Sequence, residues 1–470
     1  MLALLLAGAC TGVPENRQIV LPDPPKAQQA PSLATRREHN RILAAYGGAY
    51  DDPKLQVVIS RTVDKLVAAS DRPDLRYHVT LLNSPAINAF ALPSGELYIT
   101  RGLVALANDT SELASVLAHE MSHIIARHAA IREDQARRVA LVSAVVNEVL
   151  TDPDAGARAL AKSKIALSSF SRAQEFEADR IGVGIAARAG YDPYGAVRFL
   201  SSMGRNADLK APVKNPDTRP VEFLSSHPAT PDRIRNARNN ARGYTAPGPG
   251  IRDKGDYLAA LDGMVYGEDP NEGYVRGRRF LHPKLGFTFM APDGFSMENT
   301  AQALLGVKAD GKSALRLDVV RVPAEQSLSD YLASGWLENI DRNSIKNTVI
   351  GGFRAATAVA RGTQWSFRLY AIRFGSDVFR FIYASKQLTP AVDRAFSQSI
   401  ETFRRLTLAE IDATKPLRLA LVMVKPGDTA ERLARRMTID DRGAKRFRVL
   451  NGLGPREQPK VGDQVKIVVE

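Results

Sequence analysis

Three of the chain's seven histidines fall within ten residues, in HEMSHIIARH at 119–128. On an α-helix, positions i and i+4 differ by about 40° around the axis. His119 and His123 therefore project from one face, close enough to hold a single Zn²⁺, one per chain. Glu120 sits roughly 60° further round, near the ion without binding it, where it can take a proton from a water that the ion acidifies. The flanking residues, SELASVLAHEMSHIIARH, are apolar at helical spacing, as a buried catalytic helix requires. Two buried structural histidines are the alternative reading. His128 lies about 180° from His119 on the same helix, so it cannot reach the same ion. The metzincin continuation needs Gly at 126 and His at 129, and both are Ala. A third protein ligand must come from elsewhere.

The segment SFSRAQEFEADRIG (169–182) offers one. Glu175 and Asp179 are i and i+4 on a second helix, so one can face the metal while the other stands a turn away. A ligating histidine commonly donates its second N–H to a carboxylate, which fixes the ring, and Asp179 suits that role. An exposed acidic face is the other explanation for E-x-E-x-D, and Glu177 points away from Asp179. Ala178 and Gly182 suit close helix packing.

Several elements must position these residues. Helical periodicity begins near Arg37 and runs through LQVVISRTVDKLVAAS. A strand-like stretch follows, RYHVTLLNS and then INAFALPSGELYITRGLVAL, with Pro93-Ser94-Gly95 as a turn. Asp109-Thr110-Ser111-Glu112 reads as the capped start of the HEMSH helix. A helix-rich region continues to about Arg242, and APGPG (246–250) breaks it.

H-E-x-x-H with a later S-R-x-x-E-x-x-A-D resembles the gluzincin zinc metallopeptidases of the HtpX, Oma and CAAX-prenyl-protease type, peptidase family M48, over about residues 38–243. NAFALPSGELYITRGL (88–103) resembles the family segment before the catalytic helix, and SSHPATPDRI (225–234) its S/T-H-P…R-I element. In particular the sequence is similar to periplasmic BepA- and LoiP-like members, although it has no recognisable tetratricopeptide repeat. The resemblance implies a zincin fold with His119, His123 and Glu175 as metal ligands and Glu120 as general base. It also implies that substrate joins the strand at Asn88, Ala89, Phe90 and Ala91. His227 has three open roles: a structural cap, a donor to the oxyanion, or a switchable extra zinc ligand. Arg233 either anchors a carboxylate near the site or holds its loop.

The rest of the chain gives address and organisation. MLALLLAGACTG resembles a bacterial lipoprotein signal (residues 1–9), in which Cys10, the sole cysteine, is the lipidation site. Thr11 after it suggests the outer membrane, facing the periplasm. Residues 10–36 have the composition of a flexible tether. The expected order is then a mainly α-helical α+β zinc peptidase domain (37–245), a Gly/Pro-rich linker (246–272), an α+β module of unknown role (273–406) and a small βααβ domain (417–470). The module has alternating strands such as FTFMAP, ALRLDVVRV and QWSFRLYAIRF, with helices near 329–340 and 390–404. The last segment resembles a LysM module, with Gly427-Asp428-Thr429 opening its first helix, so peptidoglycan is a candidate partner.

A net charge of +13 suits an anionic membrane surface or wall polymer. No Gly-rich phosphate loop, aromatic RNA-binding signature or zinc-finger spacing accompanies it, so nucleic acid is not expected. No stretch reaches the roughly 18–20 apolar residues of a membrane span. The expected function is a zinc endopeptidase for unfolded or misassembled cell-envelope proteins. The competing expectation is a wall-anchored assembly factor or chaperone whose metal site is regulatory or vestigial.

Overall fold

The computed structural model describes residues 33–131, 170–210, 227, 230–244, 250–334, 337, 339–439 and 442–470. Cys10, the signal and most of the proposed tether lie outside these residues.

Helix α1 (Leu33–Ala45) and helix α2 (Pro53–Ala69) replace the single periodic run expected from Arg37. Gly47 and Gly48 interrupt it with φ of 78° and 88°, a left-handed backbone that glycine adopts without a Cβ clash. Asp52 then restarts the helix, accepting from the backbone N–H of Lys54 and Leu55, with Pro53 in the first turn. Helix α2 buries Leu55, Ile59, Val63 and Leu66 along one face.

Strands β1 (His78–Leu82), β2 (Ala89–Ala91) and β3 (Glu96–Thr100) form a three-stranded sheet of order β1-β3-β2. β1 runs parallel to β3 and β2 antiparallel to it, which leaves β2 at the edge. The strand reading does not extend through RGLVAL. Thr100 caps a short helix, α3 (Arg101–Leu106), by accepting from the Leu103 N–H. Helices α4 (Thr110–Ile125), α5 (Arg172–Arg188), α6 (Gly195–Lys210) and α7 (Pro231–Arg242) follow. Asp109 caps α4 by accepting from the Glu112 N–H at 2.9 Å, as the sequence suggests.

The stretch read as a linker (246–272) is folded in its described part, residues 250–272. It contains α8 (Lys254–Leu261), in which Tyr257, Leu258 and Leu261 are buried in the same core as α2 and α4. The Tyr257 hydroxyl donates to the Val104 carbonyl at 2.7 Å. Apolar residues at 257, 258 and 261 follow helical spacing, which the neighbouring Gly and Pro obscured.

The α+β module is sheet-rich, as expected. Strands β4 (Tyr274–Arg276), β5 (Arg279–His282) and β6 (Phe287–Met290) form one small sheet, which β14 (Arg404–Arg405) joins from further along the chain. A seven-stranded antiparallel sheet comprises β7 (Phe295–Asn299), β8 (Leu304–Lys308), β9 (Ser313–Arg321), β10 (Ile340–Ile350), β11 (Phe353–Arg361), β12 (Ser366–Phe374) and β13 (Asp377–Ser385). Side chains alternate across it. Phe379, Phe381 and Tyr383 pack towards α10 (Pro390–Glu401), whereas Leu369, Ala371 and Val378 pack on the other face, against α9 (Leu328–Ala333). The helix expected near 329–340 is this shorter one. Helix α11 (Leu408–Asp412) leads out of the module.

The last segment has the expected strand–helix–helix–strand order: β15 (Arg418–Met423), α12 (Ala430–Ala434), α13 (Gly443–Leu450) and β16 (Gln464–Val469). Thr429 caps α12 by accepting from the Arg432 N–H. This unit shares one apolar core with the peptidase helices: Leu419, Leu433, Phe447 and Val468 cluster with Leu106, Leu117 and Leu261. Lys466 is fully buried and donates from Nζ to the carbonyls of Ala105 and Ala107, each at 2.7 Å. These carbonyls lie just ahead of the catalytic-motif helix. Burial pulls the Lys466 ammonium pKa down and pushes that of Glu112, in the first turn of α4, up, while each favours the other's charge.

This contact makes the C-terminal unit part of the peptidase domain's stability. Lys466→Met removes a desolvation cost but leaves two buried carbonyls without donors, so unfolding in urea should occur earlier, by about 1–3 kcal/mol. Lys460→Met, at an exposed position, should unfold as wild type. Equal midpoints for the two variants would mean that the Lys466 contact carries no net stability.

Candidate metal centre

Helices α4 and α5 cross closely enough to bring their motifs together. Ala178 is fully buried. A Cβ at Gly182 would stand 3.0 Å from the His119 backbone nitrogen and 3.1 Å from the Ala118 carbonyl carbon. At that crossing the His119 and His123 Nε2 atoms are 3.1 Å apart. Glu175 reaches both, with one oxygen 3.5 Å from His119 Nε2 and the other 3.6 Å from His123 Nε2. His227 completes the group, its Nδ1 lying 2.8 Å from Glu175 and 3.2 Å from His119 Nε2. One ligating atom from each of these four buried residues falls within 4.8 Å of all the others. Three imidazoles and a carboxylate at that spacing are a donor set suited to zinc.

The remaining sequence-derived residues surround the group. Asp179 Oδ1 lies 3.0 Å from His119 Nδ1, on the side of the ring away from the cluster. Arg233 donates to both Asp179 oxygens, at 2.8 and 2.7 Å, and its third nitrogen lies 2.7 Å from Glu175. One buried guanidinium thus holds the two carboxylates of α5, so of its two open roles the anchor of a carboxylate is what the geometry shows. Glu120 is buried, with one oxygen 3.8 Å from His227 Nε2 and no hydrogen-bond donor on that oxygen among the described residues.

The electrostatics follow from burial and pairing. Burial raises the Glu120 carboxyl pKa, against the pull of His227 and His119. Burial would also raise Glu175 and Asp179, but hydrogen bonding to His119, with His227 for one and Arg233 for the other, holds both below the usual carboxylate range. For His119, burial disfavours the cation, yet its contacts with Asp179 and Glu175 prevail and raise it to about 9. Burial, reinforced by its histidine neighbours, lowers His123.

His128 shows where helical reasoning went astray. The α4 helix ends at Ile125, and Arg127 adopts φ of 55°, so 119–128 is not one continuous helix. The chain turns, and His128 folds back behind the site. Its Nδ1 lies 2.9 Å from His123 Nδ1, and its Nε2 lies 3.2 Å from Glu177. His128 is outside the four-residue group, as expected, but it backs His123 much as Asp179 backs His119. Glu177 faces away from the group yet serves this second contact. Phe170 was not singled out either: its ring stacks on His123 with centroids 3.9 Å apart. Its place immediately before the Ser171 cap of α5 was the available signal.

The strand expected to receive substrate is β2. Its alternation assigns the side chains elsewhere: Ala89 and Ala91 pack into the main core and Phe90 stacks on Tyr98. Asn88 donates from its side chain to the Tyr46 hydroxyl at 2.8 Å. What β2 can offer a partner is its free backbone edge.

Residues 53–241 match the model of peptidase family M48. The sequence is 35% identical to the beta-barrel assembly-enhancing protease of Yersinia pestis over 232 residues, 47% of this chain and 46% of that protein. It is 31% identical to a putative beta-barrel assembly-enhancing protease of Vibrio cholerae over 265 residues, 52% of each chain. The mitochondrial metalloendopeptidase OMA1 of Schizosaccharomyces pombe is 29% identical over 201 residues, 42% of this chain and 57% of that one. The chain spans about half the length of these relatives. Among the described residues no helix is long and apolar enough to cross a membrane.

The carboxylate behind His119 should matter to the metal. Asp179→Asn is expected to weaken Zn²⁺ binding by about 10–100-fold, measured by competition with a chromogenic chelator. His128→Ala should weaken it through His123. Wild-type affinity in Asp179→Asn would leave Asp179 as a partner of Arg233 alone.

Proposed function

We propose that this chain is a zinc-dependent endopeptidase acting on unfolded or misassembled proteins of the cell envelope, on the periplasmic side of the outer membrane. The observation that carries the reading is the convergence of His119, His123 and Glu175 on one point with Glu120 beside it. The names of the bacterial relatives support the substrate class. Lipid anchoring through Cys10 and a LysM-type contact of the C-terminal unit with peptidoglycan belong to the same proposal. An assembly factor with a vestigial site would have no need of an intact donor set, a buried glutamate beside it and fixed partners behind its histidines.

A zinc ion held by His119, His123 and Glu175 would supply a Lewis acid for water and for the scissile carbonyl. The chain's own residues do the rest. Glu120, as the carboxylate, takes the proton of the attacking water, and burial, which favours the resulting acid, lets it hold that proton until it is returned to the leaving amine. Asp179 and His128 hold the two imidazoles in register, and Arg233 keeps Asp179 and Glu175 ionised and in place. The edge of β2 aligns the substrate as an added strand, through main-chain hydrogen bonds that read little sequence.

His227 acts as a latch in this reading. It stands among the candidate ligands, and as a fourth ligand it would take the place an attacking water needs. His227→Ala should therefore retain zinc and increase casein cleavage or self-cleavage. A fall of up to about 10²–10³-fold with zinc retained would make it an oxyanion donor instead.

Glu120→Gln separates chemistry from metal binding. It should keep zinc, measured by atomic absorption, and lose casein cleavage by at least about 10²–10⁴-fold. His119→Ala, His123→Ala and Glu175→Ala should lose zinc as well. Undiminished cleavage by Glu120→Gln would refute the general-base assignment.

A further inference from the structure

Away from the metal centre, two cavities of about 220 and 260 Å³ lie where α6 meets α13, and Leu209 and Val449 line both. Their walls carry a marked excess of positive charge. Arg101 and Arg446 line the first; Arg205, Arg442, Lys445 and Arg448 line the second. Asp208 is the one carboxylate lining either cavity among the described residues.

Some of these charges are already met inside the protein. Arg448 donates to Glu431 and to the Glu457 carbonyl, and Arg442 and Arg446 have partners within the protein. Arg205 Nη2 reaches Ser202 and the Gly452 carbonyl. Arg101 donates to Asn83 and the Val265 carbonyl, while Asp269 acts on it through space. Even so, three buried donors find no acceptor among the described residues: Nη2 of Arg101, Nε of Arg205 and Nδ2 of Asn206, all on residues that line the two cavities. Buried N–H groups are nearly always paired, with protein, water or a ligand, so three such donors beside two cavities are open to acceptors that a ligand would bring. Burial also lowers the pKa of Arg101 and Arg205, a cost that an incoming anion would offset.

The apolar part of the lining constrains the ligand as much as the charge does. Leu106, Leu209, Val265, Val449 and Leu450 line the first cavity beside its arginines. A bare ion would leave that surface unused. A carboxylate offers two oxygens and one charge, whereas a phosphoryl group presents three acceptor oxygens and up to two charges.

We propose that the α6–α13 cleft binds a phosphate ester carried on an apolar group, with the phosphate among the arginines and the hydrocarbon against the leucine and valine wall. A phospholipid and a phosphorylated glycolipid share this chemistry. The site joins the peptidase helices to the C-terminal unit, so its occupant would bridge the two.

The test is calorimetric titration of the full chain with four probes. These are dihexanoyl phosphatidic acid, a phosphomonoester, with dihexanoyl phosphatidylcholine, inorganic phosphate and a hydrophobic peptide with a free C-terminal carboxylate. The anionic lipid should bind most tightly. Inorganic phosphate should bind more weakly and compete with it. Binding of the anionic lipid should weaken as salt rises from about 50 to about 300 mM. Arg442→Glu with Lys445→Glu, both at exposed positions, should fold normally and weaken lipid binding by about ten-fold or more. Arg205→Met should weaken it too, with circular dichroism confirming the fold. Preference for the peptide, equal affinity for the two lipids, inorganic phosphate binding as tightly as the anionic lipid, or binding indifferent to the double substitution would each overturn the proposal.

Discussion

The close crossing of α4 and α5 is the constraint from which the metal centre follows. Neither helix alone holds a complete set of donors: α4 brings two imidazoles and α5 one carboxylate. They meet because Ala178 and Gly182 let the α5 backbone approach that of Ala118 and His119. A larger residue at 182 would push Glu175 outward and open the ligand spacing. The crossing has a cost, since it buries Glu175, Asp179 and Glu120 in a space of low polarizability. Arg233 answers that cost by binding both α5 carboxylates at once. A lysine could place a charge there but not the forked set of donors. The approach of two helices, the burial of the acids and the arginine are thus successive consequences of one packing decision.

Both ends of α4 are fixed by groups distant in sequence. At its start, Asp109 caps the helix and pairs with Arg198, which also pairs with Asp192. Lys466, from the last strand of the chain, ties down the carbonyls just before that cap. At its other end the left-handed turn at Arg127 brings His128 back to His123. A helix held in this way cannot slide or rotate without breaking buried polar contacts, and buried contacts of that kind are costly to leave unmade. The rigidity this gives the HEMSH segment suits a site in which ligand atoms must stay within a few tenths of an ångström.

The parts legible from sequence were those set by local periodicity. His119 and His123 share a face because they are four apart, and Glu175 and Asp179 share one for the same reason; capping chemistry at Asp109 and Thr429 marked two helix starts. Contacts that need a change of direction were not legible. His128 was misplaced because nothing in IIARHAA announces that Arg127 leaves the helical region. Helix α8 is masked in the sequence by its Gly- and Pro-rich neighbours, although Tyr257, Leu258 and Leu261 keep helical spacing. Arg233 was recognised as important, but its choice between holding a loop and holding carboxylates is decided only by three-dimensional proximity. The docking of the C-terminal unit was invisible, since a lone lysine in QVKIVV gives no sign that it is buried.

That docking bears on how the C-terminal unit can work. A small βααβ domain at the end of a chain invites the picture of a module tethered loosely and reaching for a polymer. Here β15, α12, α13 and β16 complete the core of the peptidase helices, and Lys466 spends its charge inside the protein. Whatever the exposed face of the unit meets is therefore met by the whole peptidase domain in a fixed orientation. A ligand held by α13 lies against α6, whose residue Arg198 reaches the cap of α4. A continuous set of packed and paired groups thus connects the C-terminal surface to the start of the helix that carries His119, Glu120 and His123.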